Sequence, residues 1–127
     1  MTAASDCLFC RIVSGEIPAR EVYRDERAVA FLDLSPKSPG HTLVVPVVHT
    51  DDLTSEPAGL PLIAEAVTAV ARTITERLAA SGINAQINSG AAAGQEVFHL
   101  HVHLVPRYAP GSAPAADAEE IRTRLTT

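Results

Sequence analysis

The chain is short of positive charge, has only two cysteines and contains no long apolar run, and each shortage narrows its class. Ten Lys and Arg stand against fifteen Asp and Glu, a net charge of −5 with a sequence pI near 5.4. So acidic a chain lacks the overall field that holds DNA or RNA by its phosphates, which argues against a polynucleotide partner. One small anion can still be held by local donors. The most apolar stretch, Leu60 to Ala80, is interrupted by Glu65, Arg72, Glu76 and Arg77, so no bilayer span is expected. The first residues, Met1 to Asp6, lack the basic start and apolar run of a secretory signal. A cytoplasmic location is therefore expected, with Cys7 and Cys10 reduced. No internal repeat is present. What remains is 127 residues, 46% apolar and 20% charged, the size and composition of one globular domain.

Cys7 to Val13, closed by Ser14-Gly15, reads as one or two helical turns with Leu8, Ile12 and Val13 at near-helical spacing. Glu21–Arg24 and Ala28–Asp33 read as a hairpin across Asp25-Glu-Arg27. His41–Val48 is a third strand in which Pro46 marks an edge position, a bulge or the strand's end. From Pro61 to Ser81, Ile63, Val67, Val70, Ile74 and Leu78 recur at steps of three and four, predicting one long helix stopped by Gly82. Ile83–Asn88 alternates as a fourth strand, Ser89–Gly94 is a small-residue loop, and Phe98–Arg107 is a fifth strand. Residues 109–116 read as a flexible linker, and Asp117–Leu125 as a short helix. Strands on both sides of a single long helix predict an α+β fold with a mostly antiparallel sheet. One helix covers only one face of such a sheet, so a homodimer that extends or covers it is expected.

His99-Leu-His101-Val-His103-Leu is the most informative stretch. Alternation on a strand places the three imidazoles on one face, roughly 7 Å apart, with Leu100, Val102 and Leu104 on the other. Two chemistries suit that face. His-x-His with a third histidine and a water makes a catalytic zinc site. Alternatively, one neutral imidazole attacks phosphorus while its neighbours fix its tautomer and protonate the leaving group. The small-residue loop Gly90–Gly94, running into the strand, lets backbone N–H groups approach an anion closely.

Gly94-Gln95-x-Val97-Phe98-His99-x-His101-x-His103-Leu-Val-Pro106-Arg107 resembles the signature of the histidine triad (HIT) superfamily. Phe31-Leu-Asp33-Leu-Ser-Pro36, Gly40-His41-Thr-Leu-Val-Val-Pro46 and Asn84-x-x-x-Asn88 extend the likeness over roughly residues 7 to 107. The likeness is close to the small bacterial, Hint-like branch. The resemblance implies a HIT-like five-stranded, mostly antiparallel sheet in residues 1–108, followed by a linker and tail in residues 109–127. It implies a nucleotide-binding hydrolase that cleaves between a purine nucleotide α-phosphate and a phosphoramidate or polyphosphate leaving group. In this family the middle triad histidine, here His101, forms a covalent nucleotidyl-histidine that water then hydrolyses. His99 would orient the His101 ring through its backbone, His103 would contact phosphate near the leaving group, and His41 would be the fourth histidine beside the triad. Asp33 would accept from the ribose hydroxyls, Phe31, Leu34 and Ile12 would wall the base, and Asn88 and Gln95 would donate to phosphate oxygens. Glu96 and Val97 complete this set. Glu96 stands where many relatives carry Ser or Thr, so its backbone N–H is the expected donor and the leaving-group preference is open. His103 stands where the superfamily's much longer nucleotidyltransferases typically carry Gln, which favours hydrolysis.

Cys7-x-x-Cys10 by itself fits two buried small hydrophobes as well as half of a zinc site, and it lacks the strand-to-helix setting of a redox pair. In some HIT relatives such a pair binds zinc together with a histidine after the third strand and the first triad histidine. The resemblance thus implies a structural Zn2+ on Cys7, Cys10, His49 and His99. Two rival readings follow from the same residues: a zinc hydrolase with its metal on the triad, and a nucleotide-binding module without catalysis.

Overall fold

The computed structural model describes residues 6–127. Ala28-Val-Ala-Phe-Leu32 (β2) and Thr42-Leu-Val-Val-Pro46 (β3) are buried at every position. Continuous burial means that both faces of these strands are covered, as a near-continuous apolar run requires. They lie inside a five-stranded antiparallel sheet completed by β1 (Glu21–Arg24), β4 (Gly82–Gln86) and β5 (Val102–Arg107), in the order β1-β2-β3-β5-β4.

A short helix, α1 (Leu8–Val13), precedes the sheet; the long α2 (Leu60–Leu78) follows β3, and α3 (Ala118–Thr126) ends the chain. One face of the sheet, through Ala28, Ala30, Leu32, Val44, Val102 and Leu104, packs on Ile63, Val70, Ile74 and Leu78 of α2. Each of these four α2 side chains contributes about 1.5–3 kcal/mol through burial. The tail helix adds Ile121 and Leu125 to the same core, capped by Asp117, whose side chain accepts from Glu120 N–H. The opposite face, through Val29, Phe31, Leu43 and Val45, packs on Cys7 and Phe9, with Ile12 and Val13 beside them. The second face is therefore covered at this end by α1 itself. Phe9 is its buried anchor, whereas Leu8 is 43% exposed.

Several boundaries differ from the sequence reading, and of the three roles open to Pro46 the structure takes the strand's end. The long helix stops at Leu78, because Ala79 takes the left-handed conformation (φ 55°, ψ 41°) three residues before Gly82. Pro46 ends β3, and does so in a central strand, not at an edge. The fifth strand begins only at Val102, since β5 pairs with β3 no further than Val44. Pro46 has no N–H to continue a ladder, and its carbonyl accepts instead from His99 Nε2–H at 2.8 Å. Residues 98–101 thus leave the sheet, held by Leu100 N–H donating to Thr50 O at 2.8 Å. Among the described residues, no helix is long and apolar enough to cross a membrane.

Candidate active site and metal cluster

His103 lies within β5, paired with Leu43 and Gln86, while His101 and His99 precede the strand. All three rings nevertheless reach the α1 side of the sheet. The His101 ring is 4.9 Å from that of His103 and 5.1 Å from Phe9, which meets it edge-on. The ring separation of His101 and His103 is shorter than the roughly 7 Å between alternate residues of a strand. Phe9 also packs on His99 (6.1 Å) and Phe31 (5.3 Å), wedging the histidine segment against the sheet.

The hydrogen bonds fix every imidazole tautomer. Lys37 N–H donates to His41 Nδ1 (3.0 Å), so the His41 proton sits on Nε2 and faces His103 Nδ1 at 3.0 Å, with Asp33 Oδ2 at 3.4 Å. His103 accepts at Nδ1 and therefore carries its own proton on Nε2. His101 Nδ1–H donates to His99 O at 2.8 Å, which leaves Nε2 as a bare lone pair. Burial lowers the proton affinity of all these rings. His103 is pushed down to about 4, first by desolvation and then by His101 and His41. His101 and His41 are also held below the ordinary histidine value, mainly by desolvation, with Asp33 opposing.

Three further side chains, those of Cys7, Cys10 and His49, converge on His99 at the end of this row. His99 Nδ1 lies 3.3 Å from Cys7 Sγ, 3.4 Å from Cys10 Sγ and 3.2 Å from His49 Nδ1; Cys10 Sγ to His49 Nδ1 is 3.2 Å. Both histidines donate outward through Nε2, His99 to Pro46 O and His49 to Asp51 Oδ1 at 2.7 Å. Two imidazole lone pairs thus face one another beside two sulfurs. Tetrahedral zinc, with bonds of about 2.0–2.1 Å to nitrogen and 2.3 Å to sulfur, spaces its ligand atoms roughly 3.3–3.8 Å apart. The N–N separation of 3.2 Å lies within about 0.2 Å of the spacing for two nitrogens, the N–S separations of 3.2–3.4 Å are about 0.2–0.4 Å shorter than those bond lengths give, and the donor set S2N2 suits the ion. Burial, followed by the neighbouring Cys7, pushes the Cys10 thiol up to about 12 when no cation is bound.

A second cluster, Asp33, His41 and His103, also has its polar atoms close together. It does not fit a metal: both nitrogens of His41 and Nδ1 of His103 are already committed to the hydrogen-bond chain that starts at Lys37. Nor do the three triad histidines converge on one point, since His99 turns its lone pair toward the cysteines.

The remaining predicted residues divide. Asn88 Oδ1 accepts from Gln86 Nε2 at 3.2 Å, and its own amide has no acceptor among the described residues. Gln95 is different: it is 4% exposed, and its Nε2 donates to Asp51 O (2.7 Å) and Val97 O (3.0 Å). Both donors are engaged, so the expected side-chain donation to phosphate gives way to a role in shaping the loop. Within that loop the N–H groups of Gly90, Ala93, Gly94 and Gln95 are bonded internally. Those of Glu96 and Val97 find no acceptor among the described residues, and the Glu96 side chain is exposed. Asp33 Oδ1 accepts from Ser35 N–H at 2.9 Å, capping the turn after β2. Phe31 is only 3% exposed and turns its ring into Phe9, so it offers no open wall to a base; Leu34 (88% exposed) and the half-buried Ile12 remain accessible.

Sequence reasoning missed Phe9, Asp51 and the Pro46 carbonyl. Phe9 had a signal, an aromatic inside the Cys-x-x-Cys frame. The other two had none, because a backbone acceptor and a loop carboxylate acquire partners only in three dimensions.

An α+β sheet that presents a histidine row at one strand's entrance, backed by a fourth histidine, is the histidine triad architecture. The HIT domain family model matches residues 14–110, and the chain belongs to that family. The protein named hit of Bacillus subtilis strain 168 is 42% identical over 118 residues, which cover 87% of this chain and 77% of that protein. A zinc-bound histidine triad family protein of Mycobacterium smegmatis superposes with a TM-score of 0.86 at 39% identity, covering 98% of this chain and 93% of that one. Adenylylsulfatase HINT3 of Arabidopsis thaliana is 36% identical over 107 residues, 84% of this chain but 54% of that longer protein.

Proposed function

We propose that this chain is a nucleotide hydrolase that cleaves between a purine nucleotide α-phosphate and its leaving group, of phosphoramidate or polyphosphate type, through a covalent nucleotidyl-His101. The observation that carries the reading is the His99 O contact at 2.8 Å, which commits the Nδ1 proton and leaves His101 Nε2 bare. In the first step Nε2 bonds to the α-phosphorus and the bond to the leaving group breaks. We assign the leaving group's proton to His103 in its imidazolium form, charged when the anionic nucleotide binds: it gives the Nε2 proton to the departing nitrogen or oxygen and returns to the neutral form. Water then attacks phosphorus and passes its proton to the now neutral His103, the P–N bond to His101 breaks and the nucleotide leaves. The unpartnered N–H groups of Glu96 and Val97 and the Asn88 amide are donors suited to the developing charge. Asp33 is assigned to the ribose hydroxyls through the lone pairs its turn leaves over, with Leu34 and Ile12 toward the base; the purine preference rests on the family resemblance. A cytoplasmic setting suits the reduced thiols.

A Zn2+ on Cys7, Cys10, His49 and His99 would be structural, tying α1 to the catalytic segment. The mutual lone-pair geometry of His49 and His99 supports this assignment, as does the zinc-bound relative. We further assign a homodimer. β4 is an edge strand with most of its residues exposed, and beside it an apolar groove of about 430 Å³ runs along α2, lined by Val67, Ala71, Ile83 and Ala85. A second copy extending the sheet there would cover both.

The test is AMP release from adenosine 5′-monophosphoramidate, with adenosine 5′-phosphosulfate as a second substrate, by wild type and His101→Ala without added metal. Turnover that collapses in the variant is expected. Equal activity in both would overturn the nucleophile, and nucleotide binding without turnover in either would favour a binding module.

A further inference from the structure

His49-Thr50-Asp51 runs between the metal cluster and the catalytic segment, and each residue holds a different part of it. His49 turns Nδ1 toward Cys10 and His99. The Thr50 carbonyl accepts from Leu100 N–H, one residue before His101. Asp51 acts twice. Its Oδ1 accepts from His49 Nε2–H at 2.7 Å, and its main-chain carbonyl accepts from Gln95 Nε2, also at 2.7 Å. Gln95 in turn accepts Gly90 N–H at 2.7 Å through Oε1, closing the small-residue loop.

The adjacent Asp52 serves as an internal comparison. Its Oδ1 accepts from Thr54 N–H, Ser55 N–H and Ser55 Oγ–H, so Asp52 caps the local turn. The Asp51 carboxylate makes no such bond among the described residues; its one partner is the histidine. A carboxylate on the outer nitrogen of a ligating imidazole fixes the tautomer and ring angle and raises ligand basicity.

We infer that Asp51 is a positioning residue that joins the metal centre to the active-site loop: its carboxylate aims His49 at the cluster, its carbonyl anchors Gln95, and loading the cluster with a divalent cation tightens residues 88–97. The inference rests on the zinc reading above. It assigns to that centre a second effect, since ordering His49 orders Asp51 and with it the Gln95 clasp.

The experiment uses the full chain, stripped by a chelator and titrated with Zn2+ against a chromophoric competitor. Asp51→Asn is expected to weaken zinc affinity about ten- to a hundredfold. Asp52→Asn, whose Oδ1 still caps the turn, should leave it unchanged, and Asp51→Glu should recover part of the loss. Hydrogen exchange of the 88–97 segment should slow severalfold when zinc is added to the stripped wild type. Equal zinc affinities of wild type and Asp51→Asn would overturn the inference while leaving the zinc centre standing. Zinc loading that leaves 88–97 exchanging as before would overturn the link to the loop. A wild type that binds no zinc would overturn the metal-centre reading and this inference with it.

Discussion

At the residue scale, the site is a set of proton placements. Lys37 N–H starts a chain through His41 to His103, and His99 O holds His101 in the opposite tautomer. His103→Ala should lower kcat by about 10²–10⁴ with little change in KM, as expected when a proton donor that acts in the transition state is lost. Steady-state kinetics on the phosphoramidate checks this. The same burial that keeps these rings neutral makes stability depend on pH. His103 falls from an ordinary 6.5 to about 4 in the folded chain, and His41 shifts the same way. The unfolded chain therefore takes up these protons first as the pH drops. Their contribution is full above about pH 6.5 and is lost as the pH falls toward 4. Asp25 and Asp52 are held below the ordinary carboxylate value by their hydrogen bonds, so their contributions are lost only at lower pH. Denaturant midpoints of zinc-free protein should fall between pH 6.5 and 4.5, and His103→Gln should flatten the curve. A profile unchanged by that substitution would remove His103 from the account.

At the scale of elements, two positive-φ positions give opposite predictions. Ala79 closes α2 in the left-handed region, where an L side chain is strained and glycine is not. Ala79→Gly should therefore stabilise the chain by about 0.5–1 kcal/mol, read as a rise in the midpoint of thermal unfolding. Gly40 is the opposite case. At φ +92°, a Cβ there would lie 2.5 Å from Leu78 Cδ1 and 3.3 Å from Pro106 Cγ. Gly40→Ala should cost roughly 2–4 kcal/mol by adding overpacking to strain, and it should disturb the adjacent His41. Gly15, at φ +84° with nothing near its Cβ, is the control: Gly15→Ala bears the strain alone and should cost about half as much. Equal losses at the two positions would refute the packing argument.

At the scale of the whole molecule, α1 and the histidine segment sit on the face of the sheet opposite α2, brought together at Cys7, Cys10, His49 and His99. Zinc bound only by the folded chain stabilises it by mass action, about 4 kcal/mol at a thousandfold excess over Kd. Chelation should lower the unfolding midpoint sharply and zinc should restore it, while His101-dependent turnover falls less than stability. Loss of all turnover on chelation, with unchanged stability, would instead support metal-activated water. The exposed β4 edge predicts a species of about twice 13.4 kDa by light scattering, reduced to monomer by Ala85→Lys in the groove.

Much of this protein is legible in one dimension. The three- and four-residue spacing of Ile63, Val70, Ile74 and Leu78 marks α2 and its buried face, and the continuous apolar runs mark β2 and β3. Those are local patterns that burial requires wherever the elements dock. The histidine row, with His41 and the Cys-x-x-Cys pair, likewise points to the family and to side chains that the fold brings together. What the tertiary structure alone decided is how those side chains are partnered. Pro46 ends a central strand and turns its carbonyl to His99; residues 98–101 leave the sheet that their alternation predicts; Gln95 turns inward to Asp51; Phe31 is buried where a base wall was expected. Each outcome depends on a backbone carbonyl or a packed ring from a distant segment. Alternation records which face a side chain takes, but a hydrogen-bond partner depends on where the rest of the chain arrives.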